Sequence, residues 1–144
     1  MKWRFYLLTW LYSVLFNIAF AAIMLFGQVI LRTHYLPMAY DLRGALEDLY
    51  MVGMFSVPLS VPGLLALLLA TYLSDFFMNP RQRFLFVTIF CMAGTQVGYI
   101  LLWAVTGINP FADLVWFIPL SIAAVLIALL IKRKHFYKAF IPFN

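Results

Sequence analysis

The chain has 144 residues, of which 66% are apolar and only 10% are charged. Soluble domains carry roughly 25% charged residues and 45–50% apolar ones, so this chain has too few charges to cover a water-soluble domain. Its hydrophobicity also excludes a disordered chain, because disorder requires few apolar residues and a high charge. We therefore expect a single domain surrounded by lipid. The one cysteine, Cys91, permits no intramolecular disulfide.

Four long apolar runs predict four membrane-spanning helices. A spanning helix needs about 20 apolar residues, because the hydrocarbon core is about 30 Å thick and each residue rises about 1.5 Å. The runs contain no Asp, Glu, Lys, Arg or His, as spanning helices require. The predicted fold class is all-α, an antiparallel bundle of four transmembrane helices. The predicted spans cover residues 5–31, 51–73, 84–106 and 114–131.

The first run has a second interpretation as a signal peptide. Lys2 and Arg4 precede it, and Ala19-Phe20-Ala21 resembles a cleavage site. Because the apolar stretch continues to Leu31 with no polar region before that site, we expect a retained signal anchor that forms the first span.

Basic residues predict the orientation, because cytoplasmic loops carry an excess of Lys and Arg. Four crossings put both termini on one side, which then carries every Lys and Arg except Arg32 and Arg43. We therefore expect a protein of the inner (cytoplasmic) membrane with both termini in the cytoplasm. The basic residues on the predicted cytoplasmic side are Lys2, Arg4, Arg81, Arg83, Lys132, Arg133, Lys134 and Lys138.

The connection between the first two spans, residues 32–50, predicts a short amphipathic helix on the outer face. Pro37 suits the first position of such a helix, and Gly53 is the expected bend after it. The alternative is that these residues are the protruding first turns of the second span. Arg43 and Glu47 are spaced to pair on either view. The apolar stripe consists of Met38, Leu42, Ala45, Leu46 and Leu49.

Two short loops carry signals for the start of a helix. Asn79-Pro80 precedes the third span, and Asn109-Pro110 precedes the fourth. Asn caps the first free amides of a helix, and Pro suits its first position. We therefore expect the third and fourth helices to begin at Pro80 and Pro110.

Each predicted span has one uncharged polar side chain near mid-depth. Counted from the cytoplasmic side, Asn17 and Gln96 are about 18 Å deep. Ser60 and Ser121 are about 20 and 15 Å deep. Because an amide facing lipid is costly, we expect an Asn17–Gln96 hydrogen bond worth about 0.6–2 kcal/mol. The alternatives are that this polar layer lines a narrow water path, or that the serines simply bond their own backbone.

Small residues in the third span predict close helix packing. Gly94 and Gly98 lie on one face together with Cys91, and Gln96 lies roughly 160–200° away at about 100° per residue. Because a four-helix bundle gives each helix one broad inner face, we expect the second face to contact another protomer or a partner subunit. A second small pair, in the fourth span, consists of Ala124 and Ala128.

The sequence contains no recognisable catalytic or cofactor-binding pattern. It has no phosphate-binding glycine loop, no G-x-S-x-G and no H-E-x-x-H. His34 lies near several carboxylates, including Asp41, but without a metal-ligand spacing of known mechanism. We therefore expect no catalytic residue, no cofactor and no metal. An enzyme that uses the region of His34 and Asp41 is a third possibility.

The segment after the fourth span, residues 132–144, predicts a basic cytoplasmic tail that docks anionic headgroups or a soluble partner. Each Lys or Arg near an anionic leaflet contributes about 1 kcal/mol. The alternative is that these basic residues only fix the orientation of the protein in the membrane. Because the patch is short and no nucleic-acid-binding motif accompanies it, we expect no direct nucleic-acid binding. The expected docking residues are Lys132, Arg133, Lys134 and Lys138.

These patterns favour a non-enzymatic membrane protein that acts by association. It would be a homo-oligomer or a small accessory subunit of a membrane complex, with the third helix supplying the contact. The alternative is an oligomeric pore, channel or membrane-permeabilising effector of the toxin or host-defence type, lined by the polar layer.

Overall fold

The described part of the computed structural model covers residues 2–31, 42–76, 79–107 and 117–140. Within these ranges the protein is all-helical, which confirms the all-α part of the predicted fold class. The helices are α1 (Lys2–Leu31), α2 (Leu42–Leu73), α3 (Pro80–Thr106) and α4 (Phe117–Phe140), and a short 3-10 helix (Ser74–Phe76) follows α2.

Three segments are long and apolar enough to cross a membrane, namely Lys2–Leu31, Leu42–Phe76 and Pro80–Leu101. In α4 the described apolar stretch runs from Phe117 to Ile131 and is followed at once by basic residues. Residues 114–116 of the predicted fourth span lie outside the described residues.

The third helix begins where the sequence predicts. The backbone N–H of Arg81 donates to the side-chain Oδ1 of Asn79 at 2.9 Å, and the N–H of Arg83 donates to the Asn79 carbonyl at 3.0 Å. Asn79 therefore caps α3, and Pro80 is its first residue. The corresponding prediction at Pro110 lies outside the described residues.

The separate amphipathic helix predicted between the first two spans is wrong for residues 42–50. These residues are the first turns of α2, which continues through Gly53 to Leu73. The helix is uninterrupted because Gly53 is tolerated within a helix at a cost of about 1 kcal/mol. Pro37 and Met38 lie outside the described residues.

The apolar stripe at the start of α2 packs against α1. Ala45 is fully buried together with Leu25, and Leu49 packs against them. On the exposed side, Arg43 Nε and Glu47 Oε1 form the predicted ion pair at 2.9 Å. Both side chains are exposed, so the pair contributes only a few tenths of a kcal/mol.

The basic tail predicted for residues 132–144 is helical as far as Phe140, because α4 continues beyond its apolar stretch. Lys132, Phe136 and Phe140 are buried and lie four residues apart, so they share one face of the helix. That face packs against α1 and α3, which holds the extension of α4 in place. Residues 141–144 lie outside the described residues.

The helices pack in the order α1–α2–α3–α4, and α4 also packs against α1. At one end, six rings form an aromatic cluster. The Phe136 ring lies 5.8 Å from the Phe5 ring and 5.5 Å from the Phe84 ring, centroid to centroid. The aromatic cluster therefore joins the start of α1, the start of α3 and the end of α4. Its members are Phe5, Tyr6, Phe84, Phe136, Tyr137 and Phe140.

Polar contacts hold the same end together. The Arg83 guanidinium donates to the Phe140 carbonyl at 3.3 Å and to the Asp75 backbone carbonyl at 3.1 Å. It also forms an ion pair with the Asp75 carboxylate at 3.4 Å. The turn between α2 and α3 is thus fixed to the last residue of α4. We call this the basic end, because it carries Lys2, Arg4, Arg81, Arg83, Lys132, Arg133, Lys134 and Lys138.

Truncation of Phe136 tests the role of the aromatic cluster. Phe136 is 0% exposed, so Phe136→Ala should lower the free energy of unfolding by about 3–5 kcal/mol, as for other buried Phe→Ala changes. The change can be measured by unfolding in SDS from mixed micelles. The matched control is Phe76→Ala, because Phe76 is 83% exposed and its loss should cost less than about 0.5 kcal/mol. Equal losses in the two variants would contradict this role.

Candidate functional site

The predicted polar layer faces protein, but its members pair differently from the prediction. Asn17 Nδ2 donates to Ser56 Oγ at 3.3 Å, and Gln96 Nε2 donates to Ser121 Oγ at 3.3 Å. The predicted Asn17–Gln96 hydrogen bond is therefore wrong. The physical reason is the order of the helices: α1 packs mainly against α2 and α4, so its amide meets α2 rather than α3.

The remaining serine of the layer, Ser60, bonds to an aromatic residue. The Trp10 indole N–H donates to Ser60 Oγ at 2.8 Å, and Ser60 in turn donates to the Val57 carbonyl at 2.7 Å. A third bond between α1 and α2 joins the hydroxyls of Tyr6 and Thr71 at 2.8 Å. These two aromatic partners were not predicted from the sequence, although Trp and Tyr side chains inside a protein usually require a hydrogen-bond partner.

Two adjoining cavities lie among these polar side chains. The first has a volume of about 30 Å³ and the second about 20 Å³. Ser13, Ser60, Thr95 and Val125 line both cavities. We call the polar side chains around them the polar core, which consists of Thr9, Ser13, Asn17, Ser56, Ser60, Thr95, Tyr99 and Ser121.

Apolar packing bounds the polar core along the helices. Toward the basic end, Leu67 and Cys91 line the second cavity and belong to the same buried cluster as Phe136. Toward the other end, Tyr99 packs in a cluster with Ala21 and Phe117. The polar core is therefore a short uncharged segment between two apolar ones, suited to hydrogen bonding rather than to charge.

Five members of the polar core were not predicted from the sequence, although their spacing provided a signal. The prediction names one polar residue on each helix, but α1 carries Thr9, Ser13 and Asn17 at intervals of four residues. Ser56 and Ser60 repeat that interval in α2. Polar side chains four apart lie on one helix face, so this spacing marks a continuous polar stripe.

The glycines of α3 pack against α2 of the same chain. A Cβ at Gly94 would overlap the side chain of Ala66, and one at Gly98 would overlap the carbonyl oxygen of Leu59. The premise that a helix of this chain uses only one face for its own neighbours is therefore wrong, because the opposite face of α3 reaches α4 through Gln96. The premise failed because α3 packs against two neighbours, α2 and α4, and so uses two faces within one chain. A contact of α3 with another protomer stays a prediction.

The other small residues predicted at helix interfaces are also buried. The Cys91 thiol donates to the Gly63 carbonyl at an Sγ–O distance of 3.6 Å, which adds a contact between α3 and α2. Ala124 and Ala128 are buried in α4. These residues serve the packing within this chain.

The predicted docking residues of α4 divide into two groups. Arg133, Lys134 and Lys138 are exposed at the basic end. Lys132 is only 9% exposed, and its Nζ lies 4.4 Å from the centroid of the Tyr12 ring. Lys132 therefore points into the protein, where a cation–π contact replaces part of its hydration, and it does not belong to a docking surface.

The described residues contain no group of three or more His, Cys, Asp or Glu side chains placed to hold a metal ion. His34 and Asp41 lie outside the described residues, so an enzyme based on them stays a prediction. Comparison of the chain with protein-family models, curated proteins and solved structures finds no match.

Substitution of Gly98 tests the packing of α3 against α2. Gly98→Ala should force α2 and α3 apart, because the new Cβ meets backbone rather than a flexible side chain, and overpacking of this kind costs about 1–3 kcal/mol. The free energy of unfolding in SDS and the mass of the detergent-solubilised protein should both be measured.

The matched control is Gly53→Ala. A Cβ there meets nothing within 4 Å, so the better helix propensity of Ala should raise stability by up to about 1 kcal/mol. If Gly98→Ala instead left stability unchanged and dissociated an oligomer, the glycine face would contact another copy, against the packing described above.

Proposed function

We propose that this chain is a non-enzymatic inner-membrane protein that crosses the bilayer four times as an antiparallel helix bundle. In this proposal both termini lie in the cytoplasm. The protein acts by association, as a homo-oligomer or as a small accessory subunit of a membrane complex. Its docking surface consists of the exposed basic side chains of the basic end, which meet anionic headgroups or a soluble partner.

The hydrogen bonds between α1 and α2 support the antiparallel arrangement. Tyr6, near the start of α1, bonds to Thr71 near the end of α2, whereas Asn17 bonds to Ser56. The residue number of the partner therefore falls as that of the α1 residue rises. The aromatic cluster supports the same arrangement for α1 and α4, because Phe5 contacts Phe136.

A fourth span in α4 is supported by its composition. The described stretch from Phe117 to Ile131 is free of charge and corresponds to about 22 Å of helix. Residues 114–116 continue it in the sequence. The basic residues that follow are typical of the cytoplasmic end of a span.

The observation that carries the docking proposal is the exposure of basic side chains from three chain segments at one end. The extension of α4 is held by the aromatic cluster, so Arg133, Lys134 and Lys138 project from a fixed helix rather than from a flexible tail. The Arg133 guanidinium lies 5.6 Å from the centroid of the Phe84 ring. Such an arrangement presents positive charge to an anionic leaflet without a large loss of chain entropy on binding.

The docking proposal predicts that Lys134→Gln/Lys138→Gln weakens binding of anionic lipid. At about 1 kcal/mol for each lysine, the double variant should bind anionic lipid about 30-fold more weakly. Titration of the detergent-solubilised protein with phosphatidylglycerol, followed by native mass spectrometry, measures the change. Arg43→Gln is the control, because Arg43 is exposed but paired with Glu47 away from the basic end. A similar loss in both variants would contradict a docking role for the basic end.

The polar core favours a second candidate function, the oligomeric pore, channel or membrane-permeabilising effector. Hydroxyl and amide groups line the cavities between the helices, and such groups also line aqueous paths. Against conduction through one chain, apolar clusters containing Leu67 and Phe117 bound the polar core at both ends.

A flux assay separates the two functions. Purified protein in liposomes should pass ions no faster than protein-free vesicles do, because the apolar clusters interrupt the polar path. Asn17→Leu is the matched variant, since it removes the amide of the polar core and keeps a side chain of similar size. If the natural protein passes ions and Asn17→Leu does not, the protein is a pore and the association proposal is wrong.

A further inference from the structure

The two cavities of the polar core carry buried polar atoms that the protein does not satisfy. Within the described part of the chain, Thr9 Oγ1 and Asn17 Oδ1 are buried and have no hydrogen-bond partner. Thr9 lines the second cavity and is only 3% exposed, and Asn17 lines the first. A buried polar atom without a hydrogen-bond partner costs free energy. A ligand in each cavity that bonds to this atom would remove that cost.

Other hydroxyls on these helices do have hydrogen-bond partners, so the helical conformation itself does not leave a hydroxyl without one. Thr88 Oγ1 donates to the Phe84 carbonyl at 2.8 Å, and Ser13 Oγ donates to the Trp10 carbonyl at 2.7 Å. A hydroxyl on a helix commonly satisfies itself in this way. Thr9 does not, although a carbonyl one turn earlier is available to a threonine at any interior helix position.

We propose that the polar core is a binding site for a short file of ordered water molecules. The water in the second cavity bonds to Thr9 Oγ1, and the water in the first bonds to Asn17 Oδ1. Ser13, Ser60 and Thr95 line both cavities, so they are placed to bond to water on either side and to link the two positions.

The volumes fit water and little else. A water molecule needs at least about 10–15 Å³ of such a cavity and two to four polar partners. The cavities of about 30 and 20 Å³ therefore hold about three to five water molecules in total. A metabolite or an acyl chain is too large for them.

The chemistry of the lining also selects water over an inorganic ion. Among the described residues, no Asp, Glu, Lys, Arg or His lines either cavity. A cation would have no carboxylate to neutralise it, and an anion would meet no basic group, so the burial of either charge would be costly. Water instead uses the donors and acceptors of Ser, Thr and Asn side chains without adding charge.

This site differs from a conducting path and does not depend on the proposed function. Bound water joins α1 to α2, α3 and α4 through bridging hydrogen bonds, which are enthalpically nearly as good as direct ones. The inference uses only the packing of the described helices and therefore stands or falls separately from docking at the basic end.

The substitution Thr9→Val distinguishes a hydrated cavity from a dry one, because Val has almost the same size and no hydroxyl. If water binds Thr9, the variant loses a hydrogen bond and unfolds at a lower SDS mole fraction than the natural sequence. If the cavity is dry, the variant loses an unsatisfied hydroxyl and unfolds at an equal or higher SDS mole fraction. Thr88→Val is the control, because its hydroxyl bonds within its own helix away from the cavities.

A direct measurement accompanies the substitution. In micelles, magnetisation transfer by NMR should connect water with the methyl groups of Val125, which line both cavities. The methyl groups of Val87 are the control, since Val87 is buried in the cluster around Phe136. Absence of transfer to Val125 would overturn the water site whatever the stability of Thr9→Val. Transfer to Val125 with a stabilising Thr9→Val would overturn the role of Thr9 as a ligand.

Discussion

The structure depends on one constraint, which is that polar groups on helices apolar enough to cross a membrane need hydrogen-bond partners other than bulk water. The backbone meets this constraint by forming helices. Most of the polar side chains meet it by bonding to their own helix, as Ser60 and Thr88 do, or to a neighbouring one, as Gln96 does. Thr9 Oγ1 has neither kind of partner. Both solutions place polar side chains toward protein and leave the apolar ones for the surface. The many exposed large apolar residues of α1, α2 and α3 fit this division.

The sequence was a good guide to which segments are helical and a poor guide to how they pack. Uncharged length and the Asn79-Pro80 signal predict the helices and the start of α3, because these are local properties. The depth of Asn17 and Gln96 also follows from counting residues. The hydrogen-bond partners of the two amides cannot be predicted from depth, because residues at the same depth can lie on helices that are not neighbours. The erroneous pairing of the two amides arose from that gap.

The glycine pair and Lys132 illustrate the same difficulty at the level of single residues. Gly94 and Gly98 predict that some backbone approaches α3 closely, and α2 does so. The two glycines alone do not predict whether the approaching helix belongs to the same chain or to another one. Lys132 was assigned to a docking surface because it belongs to a run of basic residues. Its spacing of four from Phe136 places it on the buried face, where it meets Tyr12.

The basic end and the polar core place two different kinds of polar group in separate parts of the bundle. Most of the charged side chains among the described residues lie at the basic end, and the described side chains that line the polar core are uncharged. The apolar packing around Phe136 and Leu67 lies between the two. Charge near the polar core would require a buried counter-ion, because an unpaired charge inside the bundle costs far more than an unpaired hydroxyl. The separation therefore lets the protein keep hydrogen-bonding capacity between its helices while the exposed charge lies at the basic end.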